Sequence, residues 1–226
     1  MAATFDAATD GSGTSVSSIT VSHTATGTDR AAFAGGGAVD FGSGTPTASA
    51  TYAGSAMTER WDAAFATFYA HHGYTLVAPA TGAQNVVLTW NVTAGGSFAV
   101  VTATSVDQTT PFGTPATATG SSTTPSVNVS AATNDLVVDN LVYVGTGTAT
   151  AGTNQTARTS NTNVGGEIGH YTSTEAGATT TTMSYTIASS NWAIGGIAFK
   201  AAAAAGGTGR LVNGCLVNGL LTGYLA

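Results

Sequence analysis

The chain has 226 residues, a formal net charge of −6, and only 7% Asp, Glu, Lys and Arg. This length is enough for one large β domain with a buried core and an appendage. Five basic residues stand against eleven acidic ones, and no basic run supplies the phosphate contacts that dominate nucleic-acid affinity. The composition therefore predicts no nucleic-acid partner.

Small and hydroxylated residues dominate the sequence, since Ala, Gly, Ser and Thr exceed half of it. Thr suits both faces of a strand, and small side chains suit closely packed sheets. The single cysteine, Cys215, rules out an internal disulfide framework and a Cys-based zinc cluster. The expected fold class is all-β, an antiparallel β-sandwich or jelly roll.

Neither residues 1–6 nor a later segment has the pattern of a targeting signal. Residues 1–6 lack the basic and apolar regions of a secretory signal, and no run of about 18 apolar residues is present. The sequence predicts synthesis in a cytoplasm and no membrane partner.

In the first half, short alternating patterns predict strands. They cover 15–23, 30–41, and a hairpin of 45–52 with 56–61, followed by an aromatic strand over 65–69. A short helix over 59–70 is the second choice. Strict alternation over 86–92 predicts a half-buried strand. The pair Gly95-Gly96 then predicts a hairpin turn into a strand over 98–106.

In the second half, the segment 136–144 is apolar on both faces, which is typical of the central strand of a two-layer sandwich. The segments 107–124 and 145–166 have no sustained hydrophobic period and are predicted as loops, apart from a brief strand at 127–129. A late strand around Met183 and a closing strand over 192–199 complete roughly eight to ten strands.

No motif for catalysis is present. The sequence lacks a nucleophile elbow, a phosphate-binding loop, a zinc-protease motif and a carboxylate cluster, so we expect no enzyme activity and no cofactor. The pair His71-His72 is the nearest approach to a metal site, but adjacent strand residues point to opposite faces.

Five aspartates are expected in turns, where the carboxylate caps its own backbone: Asp6, Asp10, Asp29, Asp107 and Asp139. Most aromatic residues fall on predicted strands and are expected to pack in the core rather than form a sugar-stacking platform.

The C-terminal segment is the most apolar part of the chain. We divide the sequence into a β-sandwich domain over 1–200, an Ala/Gly linker over 201–209 and an attachment or oligomerisation tail over 210–226. The tail repeats Leu-Val-Asn-Gly, and Asn-Gly is a strong turn signal, which predicts two very short strands that add to a neighbouring sheet. A tail that folds back on its own domain is the alternative. The predicted contact residues are Leu211, Val212, Asn213, Leu216, Val217, Asn218, Leu220 and Leu221.

Several collinear motifs carry a resemblance to a known family. They are Phe5-Asp6-Ala7-Ala8, Ser22-His23-Thr24, Thr51-Tyr52-Ala53-Gly54, 78–87, Val106-Asp107-Gln108-Thr109-Thr110-Pro111-Phe112, Thr182-Met183-Ser184-Tyr185 and Trp192-Ala193-Ile194-Gly195. Over about 5–201 the chain resembles the Thr/Gly-rich β-sandwich surface domain of tailed-phage virion proteins. It departs from that family in its second strand, which is rich in Ala and Gly where an apolar run is usual.

The resemblance implies a structural or adhesive role on a virion surface and no catalytic residues. The leading expectation is a capsid decoration or cement protein, made in the host cytoplasm, that binds the major capsid protein or another virion protein as an oligomer, with a trimer favoured. Two alternatives are a tail-fibre or baseplate-associated receptor-binding module and a carbohydrate-binding β-sandwich domain. A polysaccharide hydrolase is disfavoured because no paired acid and base stand out.

Overall fold

The computed structural model describes residues 1–40, 42 and 44–203, together with the backbone of 210–212 and 215–217. The described residues form strands and no helix, and every strand pair is antiparallel. The predicted all-β fold with antiparallel sheets is therefore confirmed. The strands are β1 (Thr4–Ala25), β2 (Ala31–Val39), β3 (Ala48–Tyr52), β4 (Ser55–Ala56), β5 (Thr58–Ala66), β6 (Tyr69–Val77), β7 (Gly82–Thr104), β8 (Ala116–Ser122), β9 (Ser126–Val129), β10 (Leu136–Val144), β11 (Thr150–Ala151), β12 (Thr156–Val164), β13 (Ile168–Ala176), β14 (Thr181–Thr186), β15 (Ser190–Phe199), β16 (Arg210–Val212) and β17 (Cys215–Val217).

The long strand β7 organises the first half of the chain. Its first part pairs with β3, its second part pairs with β2, and β1 runs antiparallel along both parts. The sheet bends back on itself, so that the first part of β7 covers β2. The evidence is that a methyl group on Gly36 of β2 would lie 2.6 Å from Leu88 Cδ2 in the first part of β7. The predicted hairpin at Gly95-Gly96 is therefore wrong: these glycines lie inside one bent strand, where they allow close packing and irregular pairing.

The second half forms a five-stranded sheet in the order β12-β13-β10-β15-β8 and a small sheet in the order β11-β14-β9. The predicted loops over 107–124 and 145–166 are thus wrong in part, since they contain β8, β11 and β12. Both β8 and β12 are outer strands of the five-stranded sheet with Thr- and Ser-rich sequences. Strand β8 meets the core with the small residues Ala116 and Ala118, which give only a weak apolar period. The alternative helix over 59–70 is also wrong, because β5 and β6 cover it.

The two halves repeat one strand plan, which the sequence analysis did not detect. The central strand β2 lies between β6 and β7, and the central strand β10 lies between β13 and β15. Strands β8 and β9 correspond to the first and second parts of β1, and strands β14 and β15 correspond to the first and second parts of β7. The registers agree from the first residue of each central strand: Ala31 faces Val77 and Ala103, and Leu136 faces Ala176 and Phe199. We call β1–β7 the N-terminal unit and β8–β15 the C-terminal unit.

Irregularities recur at equivalent positions too. The pairing of β5 with β6 shifts around Arg60, and the pairing of β12 with β13 shifts around Arg158. Each bulged arginine donates from Nε to a threonine on the neighbouring strand, Thr75 at 2.7 Å and Thr174 at 2.8 Å. Because β-bulges re-aim a side chain, both arginines leave the plane of pairing in the same way.

These arginines join the two units reciprocally. The Arg60 guanidinium lies 5.1 Å from the ring centroid of Phe112, and that of Arg158 lies 3.6 Å from the ring centroid of Phe5. The phenylalanines are themselves equivalent, since Phe5 pairs with Ala103 and Phe112 bridges to Phe199. Each unit thus places a cation on an aromatic ring of the other, which fits a pseudo-twofold arrangement.

The core lies in three levels between four layers of strands. One cluster fills the bend of the N-terminal unit and includes Tyr52, Leu88 and Phe98, and another fills the C-terminal unit around Met183. The clusters between the units combine residues of both, among them Phe33, Trp61, Val138, Ile197, Phe199, Tyr69, Val142 and Ile168. Strand β10 is therefore buried on both faces, as predicted, but in a stack of four layers rather than two.

Replacing Gly73 by Ala tests the packing between the units. A methyl group at Gly73 would lie 2.3 Å from Trp61 Cε2, and this ring is confined on its other side by Gly195, whose added methyl would lie 2.6 Å from it. We expect Gly73→Ala to lower the free energy of unfolding by about 1–3 kcal/mol, because overpacking forces side chains and backbone to shift.

The control is Gly147→Ala, since a methyl group at Gly147 meets no atom within 4 Å. Urea denaturation should place this control within about 0.5 kcal/mol of the parent. Equal stabilities for Gly73→Ala and Gly147→Ala would contradict the tight contact.

Candidate functional site: the C-terminal hairpin

The predicted attachment segment forms two short strands. Strands β16 and β17 pair with each other in register, with Arg210 facing Val217 and Val212 facing Cys215. Asn213 and Gly214 stand between these strands in the sequence. In the part of the chain that the structure describes, this two-stranded sheet pairs with no other strand. Of the predicted contact residues, Leu211, Val212, Leu216 and Val217 lie on these strands, and Asn213, Asn218, Leu220 and Leu221 lie outside the described residues.

The histidines of the body serve the interior. His71 Nε2 lies 3.0 Å from Asn140 Oδ1 across the boundary between the units, whereas His72 Nδ1 lies 3.0 Å from Asp62 Oδ1 in the same sheet. The two neighbouring rings therefore face different surroundings. His170 Nδ1 lies 2.9 Å from Ser97 Oγ, again across the boundary. No group of three His, Cys, Asp or Glu residues suited to a metal ion occurs among the residues described.

Burial keeps two of these imidazoles neutral. Desolvation lowers the pKa of His71 to about 4, although the hydrogen bond with Asn140 opposes the shift, and it lowers the pKa of His170 to about 3. Both rings occupy equivalent positions, since His71 faces Gly37 in β2 and His170 faces Val142 in β10. They act as packed polar links between the units.

The aspartates differ in their roles. Asp107 caps a turn as predicted, because its Oδ1 accepts from the Thr109 and Thr110 amides at 2.7 and 3.0 Å. The expectation for Asp139 is wrong, because this residue lies fully buried in the middle of β10. Its Oδ1 accepts from Ser173 N, Ser173 Oγ and Tyr185 Oη, yet desolvation outweighs these bonds and raises the pKa of Asp139 to about 7.

The aromatic side chains pack inward, as predicted. Those with less than a tenth of their surface exposed include Trp61, Trp90, Phe98, Tyr143, Tyr185, Trp192 and Phe199. Each tryptophan covers a glycine. Trp61 covers Gly73 and Trp192 covers Gly120 on adjacent strands, whereas Trp90 covers Gly96 farther along its own bent strand, β7. They leave no row of exposed rings in the described body on which sugars would stack.

Sequence reasoning missed the two bulged arginines. A weak signal was present, since Thr58-Glu59-Arg60 and Thr156-Ala157-Arg158 share a Thr-x-Arg pattern. Such a pattern is common by chance in a chain this rich in Thr. Only the shared strand register shows that the two segments are equivalent.

Comparison with known protein families, curated proteins and solved structures found no match to this chain. No helix in the described part of the chain is long and apolar enough to cross a membrane.

The buried titratable groups predict a stability maximum near neutral pH. Because the pKa values of His71 and His170 lie below the ordinary 6.5, the unfolded chain binds more protons as pH falls below that value, and stability is lost. Asp139 acts in the opposite direction: with its pKa raised from 3.8 to about 7, the native state keeps a proton that the unfolded chain loses. On acidification the two histidines lower the free energy of unfolding by more than the aspartate raises it. The free energy of unfolding should therefore fall from pH 6.5 towards pH 4.

The variant Asp139→Asn isolates the opposing contribution. It should make the decline on acidification steeper by about 1.4 kcal/mol per pH unit between the two pKa values of Asp139. Urea midpoints measured at several pH values provide the measurement. An unchanged pH profile would show that Asp139 is not protonated in the folded protein.

Proposed function

We propose that the protein is a virion structural protein of a tailed phage, most specifically a capsid decoration protein that the C-terminal segment attaches to the shell. The observation that carries the proposal is the hairpin of β16 and β17, which forms a small sheet of its own beyond the body. The resemblance of residues 5–201 to virion surface domains supports the same role. The major capsid protein is the proposed partner.

An isolated two-stranded hairpin is marginally stable in water. Its outer edges carry backbone donors and acceptors that can extend the sheet of a partner, and alternate side chains can then occupy pockets. The segment 210–226 holds six aliphatic residues in its two Leu-Val repeats and the following Leu220-Leu221 pair. Their burial would contribute on the order of 10 kcal/mol before the cost of ordering the segment.

The body suits a structural role. His23, His71, His170 and Asp139 are buried and form hydrogen bonds that hold strands together, and its aromatic rings fill the core. Few charges and many hydroxyl groups make a surface that is hydrated without strong electrostatic attraction to other components. The proposal includes a homo-oligomer on the shell, with a trimer favoured, because repeated shell positions are commonly met by symmetric assemblies.

A receptor-binding module of a tail fibre or baseplate is the second candidate, since the same body and hairpin would serve adhesion there. Copy number separates the two locations. A decoration protein is present in numbers comparable to the major shell protein, whereas a tail component is present in a small fixed set. Quantitative mass spectrometry of purified particles measures this ratio.

Removal of residues 209–226 tests attachment. Phage shells purified without this protein serve as the binding partner. We expect the truncated protein not to co-sediment with these shells. Its melting temperature should equal that of the parent, because the sheets of the body are formed by residues that precede the tail. The double variant Leu211→Ser/Leu216→Ser alters two residues that face each other in the hairpin and should weaken binding at least about tenfold.

The control is Thr208→Ser, which changes the linker by one methyl group and should bind as the parent does. Undiminished shell binding by the truncated protein would overturn the proposed attachment.

A further inference from the structure

A pocket with two cationic side chains lies between the units, beside β5 and β6. It has a volume of about 390 Å³. Its lining residues are Thr58, Arg60, Thr75, Leu76, Val77, Thr110, Pro111, Phe112 and Lys200. Two of the five basic residues of an acidic chain therefore meet at one concavity.

The arginine of this pocket is held in place. Its Nε donates to Thr75 Oγ1, a side chain that is 1% exposed, and its guanidinium lies against Phe112. These contacts fix the plane of the guanidinium and leave its terminal nitrogens for a ligand. Among the described residues, no carboxylate forms an ion pair with Arg60.

Lys200 also influences the carboxyl group of Asp107. Its pKa is lowered by the amides of Thr110 and Thr109 and, more weakly, by Lys200. Since Asp107 Oδ1 is bonded to those two amides, this carboxylate stabilises the loop that forms one wall of the pocket. It does not line the pocket itself.

The repeated fold supplies an internal comparison. The equivalent arginine, Arg158, has the same contacts with a threonine and a phenylalanine, but the residues around it differ. The position of Leu76 in β6 is taken by Glu175 in β13, and that of Lys200 is taken by Thr104. The Arg60 pocket therefore has two cations, whereas the equivalent positions hold one cation, Arg158, with the acid Glu175 and the neutral Thr104.

Both arginines stabilise the contact between the units, so that role does not explain the difference. We propose that the pocket of Arg60 and Lys200 binds the carboxylate of an acidic sugar. The guanidinium and the ammonium bind the carboxylate, the exposed hydroxyls of Thr58 and Thr110 bond to sugar hydroxyls, and the apolar faces of Val77 and Pro111 contact the C–H face of the ring. Val77 is 41% exposed, which suits a surface that a ligand covers.

The experiment titrates the full chain with a tetrasaccharide that contains glucuronate, and with the same tetrasaccharide after its glucuronate has been reduced to glucose. Isothermal titration calorimetry should detect binding of the acidic form at millimolar concentration and no binding of the reduced form. Arg60→Gln and Lys200→Gln should each weaken binding about tenfold, because each removes a charge-assisted hydrogen bond.

Arg158→Gln is the matched control. It removes the equivalent contact with a threonine and a phenylalanine, so it should lower the melting temperature as Arg60→Gln does while leaving sugar binding unchanged. The truncated protein without residues 209–226 should also bind the sugar as the parent does, which separates this site from attachment to a shell. Equal binding of the reduced sugar, no binding of the acidic sugar, or equal weakening by Arg60→Gln and Arg158→Gln would overturn the proposal.

Discussion

The close contact between β2 and β10 determines the arrangement of the whole body. A methyl group on Gly35 would lie 2.7 Å from Asn140 Cγ, and one on Gly37 would lie 2.6 Å from Val142 Cγ1. On the opposite face of β2, Leu88 covers Gly36 in the same way. Side chains at Gly35, Gly36 or Gly37 would push apart the layers on either side of β2. The run of small residues is thus required for β2 to be buried on both faces.

This contact also explains why polar residues lie at the centre of an apolar interface. His71, Asn140, His170 and Ser97 are buried and bonded across it. A shift of one residue along either central strand would leave these groups unpaired, at a cost larger than the bonds themselves contribute. The apolar clusters on either side supply most of the burial, and the polar pairs select the register. The reciprocal contacts Arg60–Phe112 and Arg158–Phe5 fix the outer edges, so each unit presents to the other the kind of surface that a symmetric dimer presents.

The sequence predicted the all-β class and the positions of several strands, but it did not predict the strand order or the repeat. Alternation identified 86–92, and the apolar run identified 136–144, because those strands have at least one face that depends on large side chains. It failed at β12, whose polar residues lie on an outer strand, and at Gly95-Gly96, where glycines bend a strand rather than end it. The equivalence of Arg60 and Arg158 depends on registers between distant strands. The tail strands were predictable because the Asn-Gly turn is local.

The differences between the units indicate where function separates from folding. Several residues that join the units are matched in both: the bulged arginines, their threonine acceptors, the phenylalanines they cover, and His71 with His170. The pairs Leu76/Glu175 and Lys200/Thr104 are unmatched, and they lie at the ends of strands beside the arginine contacts. The contact between the units uses one arginine over one phenylalanine at each of its two edges. It does not require a second cation at either edge. A positive pocket in an acidic chain is therefore better explained by a ligand than by the fold, in keeping with functions that are set by individual sites on a shared scaffold.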